Sequence, residues 1–262
     1  MPMRLRITLA AVIVTLFMWS ALFAFQRGRR GGFREYEEEL VTPADAGEKT
    51  EWAFARLKYP SPRYWNWTTD YPKADRQFVQ GVRRLTRLHT RSVEQVVDVD
   101  SDEIYNWPWI YAVEVGRWDL TDPQCERVRD YLLRGGFLMV DDFHGTQEWA
   151  GFMASMSRIF PDRPIVELEN NNQIFHVLYD LDERFQIPGT AALYSGQTYE
   201  KDGVIPRWRA IMDDKGRVMV AICHNMDLGD AWEHADNPRY PEKATSLAYR
   251  IAINYIIYSM SH

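Results

Sequence analysis

Two adjacent aspartates with a histidine two positions beyond, Asp141, Asp142 and His144, are the residues of this chain best placed to do chemistry. Neighbouring carboxylates repel one another, so they either shift each other's pKa or hold a cation between them. A histidine titrates near neutrality and serves as metal ligand or proton carrier. The competing reading makes one aspartate a turn cap and leaves His144 solvated. A second constellation is His224, Asn225, Asp227, Asp230 and Glu233. Oxygen-rich groups of this kind suit Mg²⁺ or Ca²⁺, and Gly229 among them permits an unusual turn. The spacing matches neither the twelve-residue calcium loop nor a zinc signature. Asp227 and Asp230 read equally well as turn formers and helix caps. The metal, and any other cofactor, is unknown at this level.

A third candidate is the run Tyr64-Trp65-Asn66-Trp67-Thr68-Thr69-Asp70-Tyr71. Aromatic faces interleaved with hydrogen-bonding groups suit a sugar ring or another flat ligand. Trp65, Trp67 and Asp70 are its ligand-binding candidates, and core packing against a proline-bounded loop is the alternative. Trp107-Pro108-Trp109 repeats the pattern in brief, and Lys58 and Arg63 either hold an anionic group or are solvated. His176, after Ile174-Phe175, faces the cleft as a ligand-binding residue or the core as a structural one. His89 and His234 lack context.

The elements that must position these residues are legible from periodicity. Residues 52–59 read as a first strand, ended by Pro60 and Pro62. Residues 74–88 read as a helix with Phe78, Val82, Leu85 and Leu88 on one face. Strands follow at 93–99 and 110–115. Asp122 as N-cap and Pro123 in the first turn open a helix that carries Cys125, Val128 and Leu132 inward and stops at Gly135-Gly136. The buried run Phe137-Leu138-Met139-Val140 then delivers Asp141 and Asp142. Thr146 caps a helix stopped by Pro161, and residues 165–168 read as a strand. Residues 207–212 and 217–223 flank the turn Asp213-Asp214-Lys215-Gly216, and a helix over 242–260 closes the chain. Strands alternating with helices imply an α/β fold, a mainly parallel sheet with helices on both faces and a late antiparallel part. Ligands of such sheets sit beyond the carboxyl ends of the strands, which points to Asp141, Asp142 and His144.

Residues 7–25 contain no charged residue, with Arg4 and Arg6 before them and Arg27, Arg29, Arg30 and Arg34 after. At about 1.5 Å per residue the run spans roughly the 30 Å core of a bilayer. It reads as a retained anchor, as a cleaved export signal, or as a buried core helix. The domain plan is therefore a transmembrane or signal segment over 1–26, a linker over 27–50 and an α/β domain over 51–262. This makes the membrane a partner and the cell envelope the expected location, with the domain periplasmic or exterior, or else cleaved and secreted. The net charge of −6 gives no argument for nucleic-acid binding. The 10 Trp, 14 Tyr and 12 Phe demand a large core or an aromatic-lined cleft. The 2 cysteines are too few for a disulfide scaffold or a zinc ribbon.

Arg56-Leu57-Lys58-Tyr59, Asn66-Trp67-Thr68-Thr69-Asp70-Tyr71-Pro72, the run from Leu133-Arg134-Gly135-Gly136 to Asp141-Asp142, Ile174-Phe175-His176 and Asp227-Leu228-Gly229-Asp230-Ala231-Trp232 together resemble the domain of unknown function 4159 family. The resemblance spans roughly residues 51–262. It implies a class I glutamine amidotransferase-like or flavodoxin-like fold and often an export signal or membrane anchor, and it implies no established activity. Class I amidotransferases carry a nucleophilic cysteine on the turn after a central strand. Here that turn reads Asp141-Asp142-Phe143-His144, which argues against glutamine amidotransfer. Cys125 sits on an apolar helix face, and successive residues Cys223 and His224 point to opposite sides of a strand. A Cys125–Cys223 disulfide is conceivable after export.

Three functions fit this pattern. The first is a non-catalytic domain binding a small-molecule or protein ligand. The second is a carboxylate- and histidine-dependent hydrolase, metal-assisted or not, acting on carbohydrate. The third is a structural partner in a membrane complex. The first accounts best for the missing nucleophile.

Overall fold

The computed structural model describes residues 42–61 and 66–262. The apolar run at 7–25, the residues from 27 to 41, and Arg63, Tyr64 and Trp65 lie outside the described residues. Among the described residues no helix is long and apolar enough to cross a membrane.

A seven-stranded sheet organises the chain. Its strands are β1 (Ala55–Lys58), β2 (Gln95–Asp98), β3 (Trp109–Val113), β4 (Phe137–Asp141), β5 (Val166–Glu167), β6 (Arg207–Met212) and β7 (Val218–His224), in the order β2-β1-β3-β4-β7-β6-β5. The strands from β2 through β7 in that order are parallel, while β6 runs antiparallel to both β7 and β5. The helices are α1 (Lys73–Leu85), α2 (Asp122–Leu133), α3 (Gly145–Ile159), α4 (Thr190–Tyr194), α5 (Leu228–Glu233) and α6 (Glu242–Ser261). The fold is α/β with a mostly parallel sheet, as the alternation of elements predicts.

Two apolar layers cover the sheet. On one side α1 supplies Phe78, Val79 and Val82, α5 supplies Trp232, and α6 supplies Leu247, Ile251 and Tyr255. On the other, α2 supplies Cys125, Val128 and Leu132, and α3 supplies Phe152, Met156 and Ile159. Residues of β4 alternate between the layers, Phe137 and Met139 facing the first and Leu138 and Val140 the second. The chain goes from β1 out to β2, then returns to β3 on the other side of β1. The sheet therefore reverses its winding there, and crevices form at such reversals beyond the strand ends.

The sequence reading needs correction at several ends. Helix α1 stops at Leu85 because Thr86 turns extended, at φ −130° and ψ 176°, with its hydroxyl donating to the Val82 carbonyl; Leu85 is exposed and Val79 is buried. Thr121, not Asp122, is the N-cap of α2, and its amide donates to Gln124 Oε1 at 2.9 Å. Asp122 instead meets Arg158 at 2.8 Å. Thr146 lies inside the first turn of α3, where its amide and hydroxyl donate to Asp202. Trp109 is sealed in the core of β3. The two cysteines are free and lie in the opposite apolar layers, so they cannot form a disulfide. Asp45, in the stretch read as linker, accepts from the Ser92 amide at 2.9 Å.

Candidate carboxylate site

Three neighbouring strands leave the sheet in the same unusual way. β3 passes into Glu114 at φ 54°, β4 into Asp142 at φ 52° and β7 into Asn225 at φ 66°. A left-handed backbone is uncommon outside glycine, and its recurrence at three adjacent strand ends marks a constrained rim. The rim is stitched by main-chain bonds, Glu114 N to Asp141 O at 3.1 Å, Asp142 N to Met226 O at 3.2 Å and Asn225 N to Phe143 O at 3.0 Å.

Asp141 is fully buried and works across the sheet edge. Its Oδ2 accepts from the amides of Leu228 at 2.8 Å and Gly229 at 3.1 Å and from the Tyr111 hydroxyl at 3.1 Å. It thus caps α5 rather than the turn that follows β4. Its Oδ1 has no hydrogen-bond partner among the described residues. Burial, then the charge of Asp142, pushes its carboxyl up to about 7.

Asp142 is the hub. Its charge acts on Asp141, Glu114, Glu200, Asp70 and Asp227. Its Oδ1 lies 3.2 Å from His144 Nε2. Burial disfavours the charged ring of His144, but the hydrogen bond and charge of Asp142 outweigh it and raise the histidine above its ordinary value. Glu114 is pushed up to about 9 by burial and by Asp142, even with Arg117 at 3.3 Å. Glu148 is the well-matched acid of the rim. It meets Arg117 at 2.8 Å and Lys201 at 2.6 Å and accepts from the His144 amide at 2.7 Å. These bonds overcome its burial and hold it below the usual range.

Beside the hub, carboxylate oxygens of Asp70, Asp227 and Asp230 lie within 4.8 Å of one another. Two glycines make the room. A Cβ on Gly229 would stand 2.6 Å from Asp70 Oδ2 and 3.5 Å from Asp227 Oδ1. A Cβ on Gly189 would stand 2.6 Å from Glu200 Oε1, 2.7 Å from Asp227 Oδ2 and 3.3 Å from Asp230 Oδ2. Asp227 caps α5 through the Asp230 amide at 2.7 Å, and Asp230 Oδ2 accepts from the Thr190 amide at 2.6 Å and hydroxyl at 2.9 Å. Asp70 Oδ2 is shut from solvent with no hydrogen-bond partner among the described residues. Burial and then the neighbouring carboxylates hold Asp70 and Asp227 well above the carboxylate range. Asp230 goes the other way, since hydrogen bonds from His234 and Thr190 outweigh its burial and keep it ionised. His234 in turn is raised to about 9 by Asp230 and Glu233. Asp230, Glu233 and His234 form a second group with metal-ligand geometry that shares Asp230 with the first.

The structure thus brings Asp141, Asp142, His144, Asp70, Asp227 and Asp230 together. The model of the family described as Domain of unknown function (DUF4159) matches residues 53–260. The chain belongs to that family. No curated protein matches it. In this DUF4159 domain, His176 stays away from the rim, bonded to Asp180 at 3.0 Å and to the Asn170 carbonyl at 2.6 Å. Trp67 packs on Tyr71 at 5.8 Å between ring centres and lends its carbonyl to Arg56. His224 turns from the rim to Gly145 O and Arg209, and burial lowers it to about 4. Lys58 meets Asp98 at 2.9 Å.

Sequence reasoning missed Glu114, Glu148 and Glu200. Glu114 follows β3 just as Asp142 follows β4, but reading that strand over 110–115 placed it inside the strand and hid it from the strand-end rule. Glu148, one turn into α3, and Glu200, on the long excursion between β5 and β6, carry no local signal. Arg56 was also missed. Buried in β1, it pairs with Asp75 of α1, with Nε to Oδ2 at 2.8 Å, and donates to the carbonyls of Trp67 and Thr69 at 3.0 Å each. It therefore fixes the turn that presents Asp70.

Proposed function

We propose that the domain is a non-catalytic binding module whose ligand presents positive charge to the carboxylate cradle of Asp70, Asp227 and Asp230, a divalent cation being the simplest such ligand. One observation carries the reading. These oxygens crowd within 4.8 Å, and among the described residues neither Asp70 nor Asp227 has a basic side chain within ion-pair distance. Crowded, buried carboxylates must be protonated or compensated, and hard cations take oxygen ligands of this kind. The amidotransferase-like scaffold, without a cysteine at the strand-end turn, fits a binding role. The N-terminal apolar run supports anchoring or export of the domain to the cell envelope.

Thermal denaturation with added Mg²⁺, Ca²⁺ or Mn²⁺ tests this. At about one hundred times the dissociation constant, a rise of about 5–10 °C is expected. Asp227→Asn, which keeps the oxygen that caps α5, removes the rise. No shift with any of the three, together with elemental analysis finding no bound metal, overturns the reading.

A second reading is favoured by the Asp142–His144 contact. A carboxylate on a left-handed turn between strand and helix, hydrogen-bonded to an imidazole, is equipped for proton transfer. Asp142 would act as base or ligand, with His144 and Asp227 assisting, in a hydrolase acting on carbohydrate. Turnover on a saccharide, ester or amide panel that disappears in Asp142→Asn supports it, and a silent wild-type protein removes it.

A further inference from the structure

Two cavities of about 340 Å³ each share Trp149 as a wall, one lined by α3 and Ile211 of β6, the other by the start of α3 and Arg207 and Arg209 of β6. This lining follows from the two elements. Trp149, Met153, Met156 and Phe160 recur at helical spacing on one stripe of α3. Arg207, Arg209 and Ile211 alternate onto one side of β6. One half of the trough therefore meets the guanidinium groups of Arg207 and Arg209, and the other is walled mainly by methionine, phenylalanine, isoleucine and proline, with Arg163 at its edge tied to the Met212 carbonyl at 3.2 Å and to Asp214 at 2.9 Å.

The cationic half is held in place. Arg209 lies 4.4 Å over the Trp149 ring, bonds Glu167 at 2.7 Å and stands 3.4 Å from His224 Nδ1. His224 Nε2 points to the Gly145 carbonyl at 3.3 Å, so Nδ1 is left to accept from Arg209. Arg207 reaches the same Glu167 oxygen at 3.4 Å and keeps 40% of its side chain exposed. Glu167 thus serves both guanidiniums, while Asp202, the other carboxylate at this mouth, is taken up by the Thr146 amide at 2.9 Å and hydroxyl at 2.7 Å. The exposed side chains of Val204 and Ile205 form an apolar lip beside it.

We propose that this trough binds an amphipathic anion, its carboxylate or phosphate head on Arg207 and Arg209 and its linear apolar tail along Met153, Met156 and Ile211. Guanidinium forks match both head groups, and the tail half offers only weak competition from water. The site lies on the α3 side of the sheet and does not rest on the carboxylate cradle.

Calorimetric titration of the purified domain with octanoate and octyl phosphate, against octanol and acetate, tests it. Octanoate or octyl phosphate should bind saturably, and about tenfold or more tighter than octanol or acetate. The tighter of the two names the head group. Arg207→Gln weakens binding about tenfold. Glu167→Gln tightens it several-fold, because both guanidiniums lose their internal counter-charge. Met153→Trp fills the tail half and abolishes octanoate binding. The two polar substitutions alter part-exposed side chains, so an unfolded variant does not cloud the result. Octanol binding as tightly as octanoate, an unchanged affinity in Glu167→Gln, or no saturable heat from either anion overturns the proposal.

Discussion

His144 Nε2 stands 3.2 Å from Asp142 Oδ1, while the other ring nitrogen, Nδ1, is buried without a hydrogen-bond partner. The pair couples the two ends of the Asp142–His144 turn, and it is the only described contact that raises the histidine against its own burial by a hydrogen bond. Asp142→Asn removes that charge and leaves the charge of Glu200 as the remaining support against burial. The His144 titration should therefore move downward, as read from the ring resonances by NMR. The sign for stability follows. A histidine raised on folding stabilises the native state fully below its unfolded value, about 6.5, and that contribution fades as pH rises through the folded value. Asp142→Asn should reduce this fade. A His144 titration unmoved by the substitution would show that the contact does not hold the proton.

The acids predict a second pH effect of known direction. Asp141, Asp70 and Asp227 are all raised on folding. A carboxyl raised on folding favours the native state below its unfolded value and loses that contribution as pH rises toward the folded one. With Asp141 at about 7, the melting temperature should fall between roughly pH 4 and 7. Asp227→Asn should soften the fall and raise the melting point at pH 8 by a few degrees, equivalent to about 1 kcal/mol. A melting temperature flat over that range would contradict the proton assignment.

Much of the scaffold was legible before any coordinates. The helix α2, stopped by Gly135-Gly136 and followed at once by Phe137-Leu138-Met139-Val140, announced a strand leading to Asp141. The rule that ligands gather at strand ends pointed to the rim where Asp141, Asp142 and His144 meet further carboxylates. What local pattern could not give is where side chains meet. Asp141 reads as a cap for the turn after it but caps α5, far along the chain. Asp70 and Asp227 are joined only through folding, by the return of the chain from β7 to α5. His176, attractive in sequence, is held by Asp180 and the Asn170 carbonyl instead. Leu85 fitted the apolar stripe of α1, but the extended backbone of Thr86 ends the helix there, and Leu85 is left in solvent.

Arg56 connects core to cradle. Arg56→Met leaves Asp75 buried without its partner, a change that costs about 3–5 kcal/mol, or about 6–20 °C in melting temperature. The carbonyls of Trp67 and Thr69 lose their donor as well, so the turn bearing Asp70 loosens and the cation response should weaken further. Arg56→Lys should recover little, because an ammonium cannot reproduce the guanidinium fork. A melting point within a degree or two of wild type would contradict the role given to this pair.

The thiols provide an independent check of the layers. Cys125 and Cys223 lie on opposite sides of the sheet, and burial raises both above the ordinary thiol value. Neither should react with a thiol reagent in the native protein, and both should react once it is denatured. A protein that showed no free thiol after denaturation without reductant would contradict the free, separated state of the pair.

The most direct test is diffraction from crystals soaked in Mn²⁺, collected where manganese scatters anomalously. The account predicts a peak coordinated by Asp70, Asp227 and Asp230 at about 2.0–2.6 Å, the range for hard cations on oxygen, and its disappearance in Asp227→Asn. A clean map at that position, or a peak seated only on exposed carboxylates elsewhere, would contradict it.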